Sequence, residues 1–187
     1  MFSDLLFLTG KCTVVSLNDS CHVFPIFKNG NSSIMELANR DDLRLHVNEE
    51  ISALKEIKVF IRDPKQRFIS GVNTFASFSQ RPVDDLLTDI QSYKVYDRHF
   101  IPQYLWLMHL HKHFKGDVEL LPVSDLRNMV DLDYKPNTVD QIERIRLIVE
   151  HGNFDGYTKV DEKMINNFMN KTVNLQTLIE RHRHDLP

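Results

Sequence analysis

The sequence predicts an α/β protein of one domain, with a central, mostly parallel β-sheet flanked by helices. Three observations carry this prediction. Short apolar runs rich in β-branched residues alternate with stretches of helical periodicity, the pattern of strands joined by crossover helices. The run IKVFIRD (57–63) is largely apolar, as a strand covered on both faces should be. No repeat, low-complexity tract or Gly/Ser-rich linker divides the 187 residues, so a single domain over 1–187 is expected.

The elements follow in order along the chain. HVFPIF (22–27) is a strand, and NSSIMELANR (31–40) opens a short helix. LRLHV (43–47) is a second strand, with Leu43, Leu45 and Val47 on one face, and 57–63 is the third. Pro64 stands where a first helical turn tolerates it, and KQRFISGVNTFASF continues with Phe68, Val72 and Phe75 at helical spacing. Helices are predicted over 82–93 and 101–114. A fourth strand is predicted over 117–123, with a helical start at Ser124. TVDQIERIRLIVEHG (138–152) carries Ile142, Ile145, Ile148 and Val149 on one stripe, and the tail from about Asp161 to His184 reads as helix.

Composition narrows the function. With 42% hydrophobic residues the chain can build a real core. A net charge of −3 argues against a general nucleic-acid coat or a polybasic membrane binder. MFSDLLFLTGKCTVVSL lacks a basic start, and Asp4 interrupts its apolar run, so it does not read as an export signal. No run reaches the roughly 18 to 20 apolar residues of a membrane span. Cys12 and Cys21 have no metal-type spacing and are expected as free thiols. A cytoplasmic protein with no nucleic-acid partner is the expectation.

Two junctions carry chemistry. In KNGNSS, Lys28 and Asn29 end an apolar run, Gly30 allows a tight turn, and Asn31, Ser32 and Ser33 begin a helix. Unpaired N–H groups and the helix dipole at such a start favour an oxyanion, and Lys28 adds a full charge. The lysine precedes the glycine, which is the reverse of the Walker order, and no clear magnesium-holding Asp follows a strand. A nucleotide kinase is therefore disfavoured, and no metal is expected. In RDPKQRFIS, Arg62 ends a strand, Asp63 and Pro64 start a helix, and Arg67 and Ser70 are spaced i, i+3. Arginine's fork suits a phosphate. The ordinary alternatives are a capped turn with a surface lysine and an Asp63 ion pair with Arg62 or Arg67. Ligands of α/β sheets bind at the carboxyl ends of parallel strands, which predicts that the two junctions are neighbours.

Together the junctions resemble those of the sulfotransferases that use 3′-phosphoadenosine-5′-phosphosulfate (PAPS), in particular the carbohydrate-sulfotransferase branch. KNGNSS is similar to that family's 5′-phosphosulfate loop, Lys-x-Gly-x-Thr/Ser-Ser. RDPKQRFIS is similar to its 3′-phosphate motif, Arg-Asp-Pro-x-x-Arg-x-x-Ser. DRHFIPQ (97–103) is similar to an Asp-x-His-x-x-Pro stretch of some members. The likeness spans 22–103 and implies a P-loop-NTPase-like sulfotransferase fold, with PAPS as co-substrate and a hydroxyl-bearing acceptor, a glycan or small molecule. It implies that Lys28 contacts the leaving phosphate. Asn29, Gly30, Asn31, Ser32 and Ser33 would wrap the 5′-phosphate, and Arg62 and Ser70 would hold the 3′-phosphate. Arg67 would brace the loop, against Asp63. Asn29 and Asn31 depart from the small or apolar residues usual there, which implies added side-chain contacts.

A base is also required. His46 is expected in this role because LRLHV would present it at a strand's carboxyl end beside Lys28, with Glu49, Glu50 and His99 as alternatives. His109 and His113 share a helical face without a third ligand, and Trp106, Tyr104 and Phe100 are core or a sugar platform. The contrasting function is a non-catalytic nucleotide-binding or protein-interaction module of the same fold.

Overall fold

Apolar strands in the middle of the chain need cover on two faces, and the helices between them supply it. The computed structural model describes residues 11–129 and 141–186. Strands β1 (Thr13–Asn18), β2 (Cys21–Val23), β3 (Leu45–Val47), β4 (Glu56–Ile61), β5 (Asp117–Pro122) and β6 (Lys171–Asn174) form one six-stranded sheet in the order β3-β1-β2-β4-β5-β6.

The sheet is mixed, which corrects the expectation of a mostly parallel one. Only β2–β4 and β4–β5 are parallel, whereas β1–β2, β1–β3 and β5–β6 are antiparallel. Two strands account for the difference. β1 lies in the segment read only for an export signal, and it turns back into β2 through a short hairpin. β6, the short run KTVN with only Val173 partly buried, interrupts the tail expected to be helix throughout. The alternating pattern 22–122 does produce its parallel centre, in the register Val23↔Lys58 and Glu56–Ile61 against Asp117–Pro122.

One face of the sheet is covered by α1 (Asn31–Arg40), whose Ile34 and Ala38 pack on Val15, Val23 and Phe60 together with Leu126 of α5 (Leu126–Met129). The other face carries the larger core. It is built under α2 (Pro64–Ser79), α3 (Val83–Gln91), α4 (Gln103–His111), α6 (Ile142–His151), α7 (Asp155–Phe168) and α8 (Leu175–His182). Buried on that face are Ile57, Val59, Phe68, Val72, Phe100, Tyr104, Tyr157 and Leu178.

Local chemistry sets the helix starts. Asp63 caps α2 by accepting from Gln66 N at 2.8 Å, and Pro64 fills its first turn. Asn174 caps α8 through Gln176 N and Thr177 N. The strand expected over 22–27 ends at Val23, because Phe24–Phe27 descend into the turn before α1. Cys12 and Cys21 are free and buried, and burial pushes the Cys12 thiol up to about 12. The export-signal reading of residues 1–10 and the first residues of the helix expected over 138–152 lie outside the described residues. Among the described residues no helix is long and apolar enough to cross a membrane.

Candidate functional site

The turn after β2 is built to project one cation and to bury its neighbour. Asn29 N donates to Ile26 O at 3.0 Å, closing a turn in which Lys28 takes φ 68° and Gly30 takes φ 86°. Gly30 occupies the cap position of α1, and no side chain caps that helix. Asn31, Ser32 and Ser33 therefore begin it without closing off its first N–H groups. A Cβ on Gly30 would come within 2.7 Å of Leu126 Cδ2, the end of a side chain that can move aside, so it is the left-handed backbone that favours glycine there.

Asn29 does not reach outward as the resemblance implied. It is buried, and its Nδ2 donates to Phe60 O at 2.8 Å and to Gln103 Oε1 at 2.5 Å. Its side chain pins the turn from below.

The turn after β4 meets the first one. Arg62 Nη1 donates to Lys28 O at 3.5 Å across 34 residues. Lys28 itself is half-buried, with Nζ donating to Thr74 Oγ1 at 2.6 Å, and Thr74 in turn donates to Ser70 O at 3.0 Å. Burial, then the charges of Arg62 and Arg67, hold the Lys28 amine below the ordinary lysine pKa. Ser70 is buried on α2 one turn before Thr74. The structure thus brings together Lys28, Arg62 and the Ser70–Thr74 face of α2.

Arg67 braces the loop, although not against Asp63. The Asp63 carboxylate is occupied as the α2 cap. Arg67 is 1% exposed and donates from Nε to Phe27 O at 3.0 Å and from Nη1 to Ile101 O. Its Nη2 and the Asn29 Oδ1 are buried without a partner. Burial lowers the Arg67 pKa to about 10, partly offset by the negative charge of Asp161. Asp161, on α7, accepts from Gln103 N at 2.7 Å and Tyr104 N at 2.8 Å, so a carboxylate from another helix caps α4.

His46 is not brought to Lys28. β3 does run in the same sense as β2, but β1 intervenes between them and β3 is the outer strand. The His46 ring shares a face with Ser16 and His22. Ser16 Oγ lies 2.7 Å from His46 Nε2 and 2.7 Å from His22 Nδ1, and the two rings are edge-on at 5.7 Å. Burial, then Arg44 and His22, hold the His46 pKa below its ordinary value. This trio lines a cavity of about 490 Å³ with Arg44, Glu50 and Asp19, and neither Lys28 nor Arg62 lines it. Glu50 is committed to Val47 N at 3.0 Å, and Glu49 lies on the exposed 3-10 turn that follows β3.

His99 is better placed. Asp97 Oδ1 accepts from His99 N at 2.9 Å and from its ring Nδ1. Burial works to raise the Asp97 pKa, but the hydrogen bonds and charge of His99, with Arg98, bring it below the ordinary carboxylate value. The His99 ring stands edge-on to Phe27 at 5.4 Å, and Phe27 precedes Lys28. Phe78, an exposed aromatic of α2, lies 5.4 Å away on another side. Gly71, Thr74 and Phe78 share one helical face, so α2 carries the lysine's hydroxyl partner beside the histidine's packing surface. A Cβ on Gly71 would meet His99 O at 2.1 Å, so the approach of this segment to α2 depends on that glycine.

Of the remaining candidates, Trp106 stacks on Phe27 at 5.3 Å, while Tyr104 and Phe100 are core. His109 and His113 stand edge-on at 5.7 Å, and among the described residues no group of three or more His, Cys, Asp or Glu is disposed to hold a metal ion. Sequence reasoning missed Gln103, Asp161 and Thr74. Only Gln103 had a local signal, as the last residue of DRHFIPQ.

No protein-family model, curated protein or solved structure matches this chain.

Proposed function

We propose that this chain is a sulfotransferase that moves the sulfuryl group of PAPS to an acceptor hydroxyl on a carbohydrate. The observation that carries the proposal is the meeting of Lys28 and Arg62. Two cationic turns, one at an uncapped helix start, lie side by side beyond the ends of parallel strands. Such an arrangement suits a ligand with two separated phosphates. The resemblance of KNGNSS and RDPKQRFIS to the donor loops of sulfotransferases names that ligand.

In this reading the acceptor oxygen attacks sulfur in line, forming an O–S bond as the S–O bond to the 5′-phosphate breaks. Lys28 stabilises the charge that develops on the departing phosphate oxygen. The acceptor proton goes to the His99 ring nitrogen that faces away from Asp97, while Asp97 holds the ring's tautomer and orientation. His99 replaces His46 as the proposed base because its ring packs on Phe27, next to Lys28, and has a carboxylate behind it. Arg62, with the Ser70 end of α2, receives the 3′-phosphate.

Binding of adenosine 3′,5′-bisphosphate, set against ATP with magnesium, tests the donor site. Transfer of labelled sulfate to a panel of glycans tests the chemistry. Tighter binding of ATP with magnesium would overturn the proposal. Bisphosphate binding without transfer to any acceptor would leave the non-catalytic module as the function.

A further inference from the structure

Gln103 is wholly buried, and its carboxamide uses every hydrogen-bonding position it has. Oε1 accepts from Asn29 Nδ2 at 2.5 Å and from Arg62 N at 3.0 Å. Nε2 donates to Arg62 O at 2.9 Å and to Asp161 Oδ2 at 3.2 Å. A carboxamide offers two acceptor and two donor positions, so this one is saturated. The partners also fix its orientation: a flipped amide would set NH₂ against two donors and oxygen against a carbonyl and a carboxylate.

Three of these four bonds run to the two cationic turns. From Gln103 one bond goes to the second residue of KNGNSS, and a matched pair holds the backbone of Arg62. A direct link between the turns is the longer Arg62–Lys28 contact at 3.5 Å. Arg67 adds a parallel tie, from Phe27 O to Ile101 O, two residues before Gln103. The start of α4 is therefore the common anchor of both turns, and Asp161 fixes it from α7.

We infer that Gln103 is a positioning residue that couples the two turns, so that the half-sites for the 5′- and 3′-phosphates form together. The inference rests on the nucleotide reading above and concerns how that site discriminates. When two half-sites are held at a fixed separation, engaging the first phosphate presents the second at high effective concentration. When the turns move independently, the second contact must also order its own turn, and that part of the affinity is lost. Gln103 thus favours a 3′,5′-bisphosphate over a 5′-monophosphate without touching either.

The test uses Gln103→Met, which keeps the length and removes the polar group, and Gln103→Asn, which keeps the amide but withdraws it by one methylene. Affinities for adenosine 3′,5′-bisphosphate and for 5′-AMP are measured by calorimetry. Backbone amide exchange is followed without nucleotide. The ratio of the two affinities should fall at least tenfold in both variants, while 5′-AMP affinity changes less than threefold. Exchange should quicken together at residues 27–33 and 61–66 and stay unchanged in β5. Equal loss for both nucleotides, an unchanged ratio, or faster exchange in only one turn would overturn the coupling. Should the Met variant fail to fold, the Asn variant decides by the same criteria. Should the wild-type protein bind neither nucleotide, the functional reading falls, and the exchange pattern alone decides whether Gln103 couples the turns.

Discussion

The guanidinium of Arg62 touches the carbonyl oxygen of Lys28, 34 residues earlier in the chain, at 3.5 Å. The contact brings two like charges close, and their repulsion contributes to the depressed pKa of Lys28. Clustering like charges in this way costs stability, and a bound anion would relieve that cost.

Removal of either charge should separate the two half-sites. Lys28→Ala is expected to lower the turnover of sulfate transfer by roughly 10² to 10³. Arg62→Ala should mainly weaken binding of the 3′,5′-bisphosphate and leave 5′-AMP little changed. Steady-state kinetics with labelled donor, together with calorimetry, separate these effects. Near-normal turnover in Lys28→Ala would remove the assignment.

The two histidines should behave differently. His99→Ala should lose about 10² to 10⁴ in turnover, the range for a general base, and Asp97→Asn should lose part of that. His46→Ala should keep turnover within about threefold and instead lower the thermal midpoint, since it breaks the Ser16 hydrogen bond. The reverse pattern would restore His46 as the base.

Asp161 gives a pH signature. Burial pushes its carboxyl up to about 6, against the opposing influence of Arg67 and the hydrogen bonds from Gln103 and Tyr104. An unfolded aspartate titrates near 3.8, so between those values the folded protein holds the extra proton. Stability from this group therefore rises as pH falls from about 6 toward 3.8 and is flat above that window. Urea unfolding of wild type and Asp161→Asn between pH 4 and 8 checks this. The difference between the two proteins should shift in favour of wild type at the acid end.

Gly71→Ala should cost about 1 to 3 kcal/mol, because its methyl group would force His99 away from α2. The same shift should lower turnover more than nucleotide affinity. Thermal unfolding and single-turnover rates read the two effects separately.

The parts of this protein that were legible in the sequence are those whose physics is local. Asp63 and Pro64 announce the start of α2, and Gly30 announces the turn before α1. Both loops could be placed on one edge because β2 and β4 are parallel neighbours. The expected placement of His46 beside Lys28 failed through a non-local fact: β1 inserts between β3 and β2, and no residue of 43–47 reports that. β6 was hidden because a four-residue edge strand with one apolar residue, Val173, has no apolar periodicity to display. Gln103 and Asp161 lie 58 residues apart, and a glutamine at a helix start gives no sign that it will be buried with both ends occupied.

The hydroxyl of Ser16 carries a single hydrogen, yet it sits between two imidazole nitrogens at equal 2.7 Å separations. If it gives that hydrogen to one ring and receives one from the other, two neutral rings share one tautomer, both Nδ1–H or both Nε2–H, because the contacting atoms are Nδ1 of His22 and Nε2 of His46. Residues 22 and 46 are consequently tied through one hydroxyl into a unit that spans three strands, and turning either ring away breaks its link to that hydroxyl.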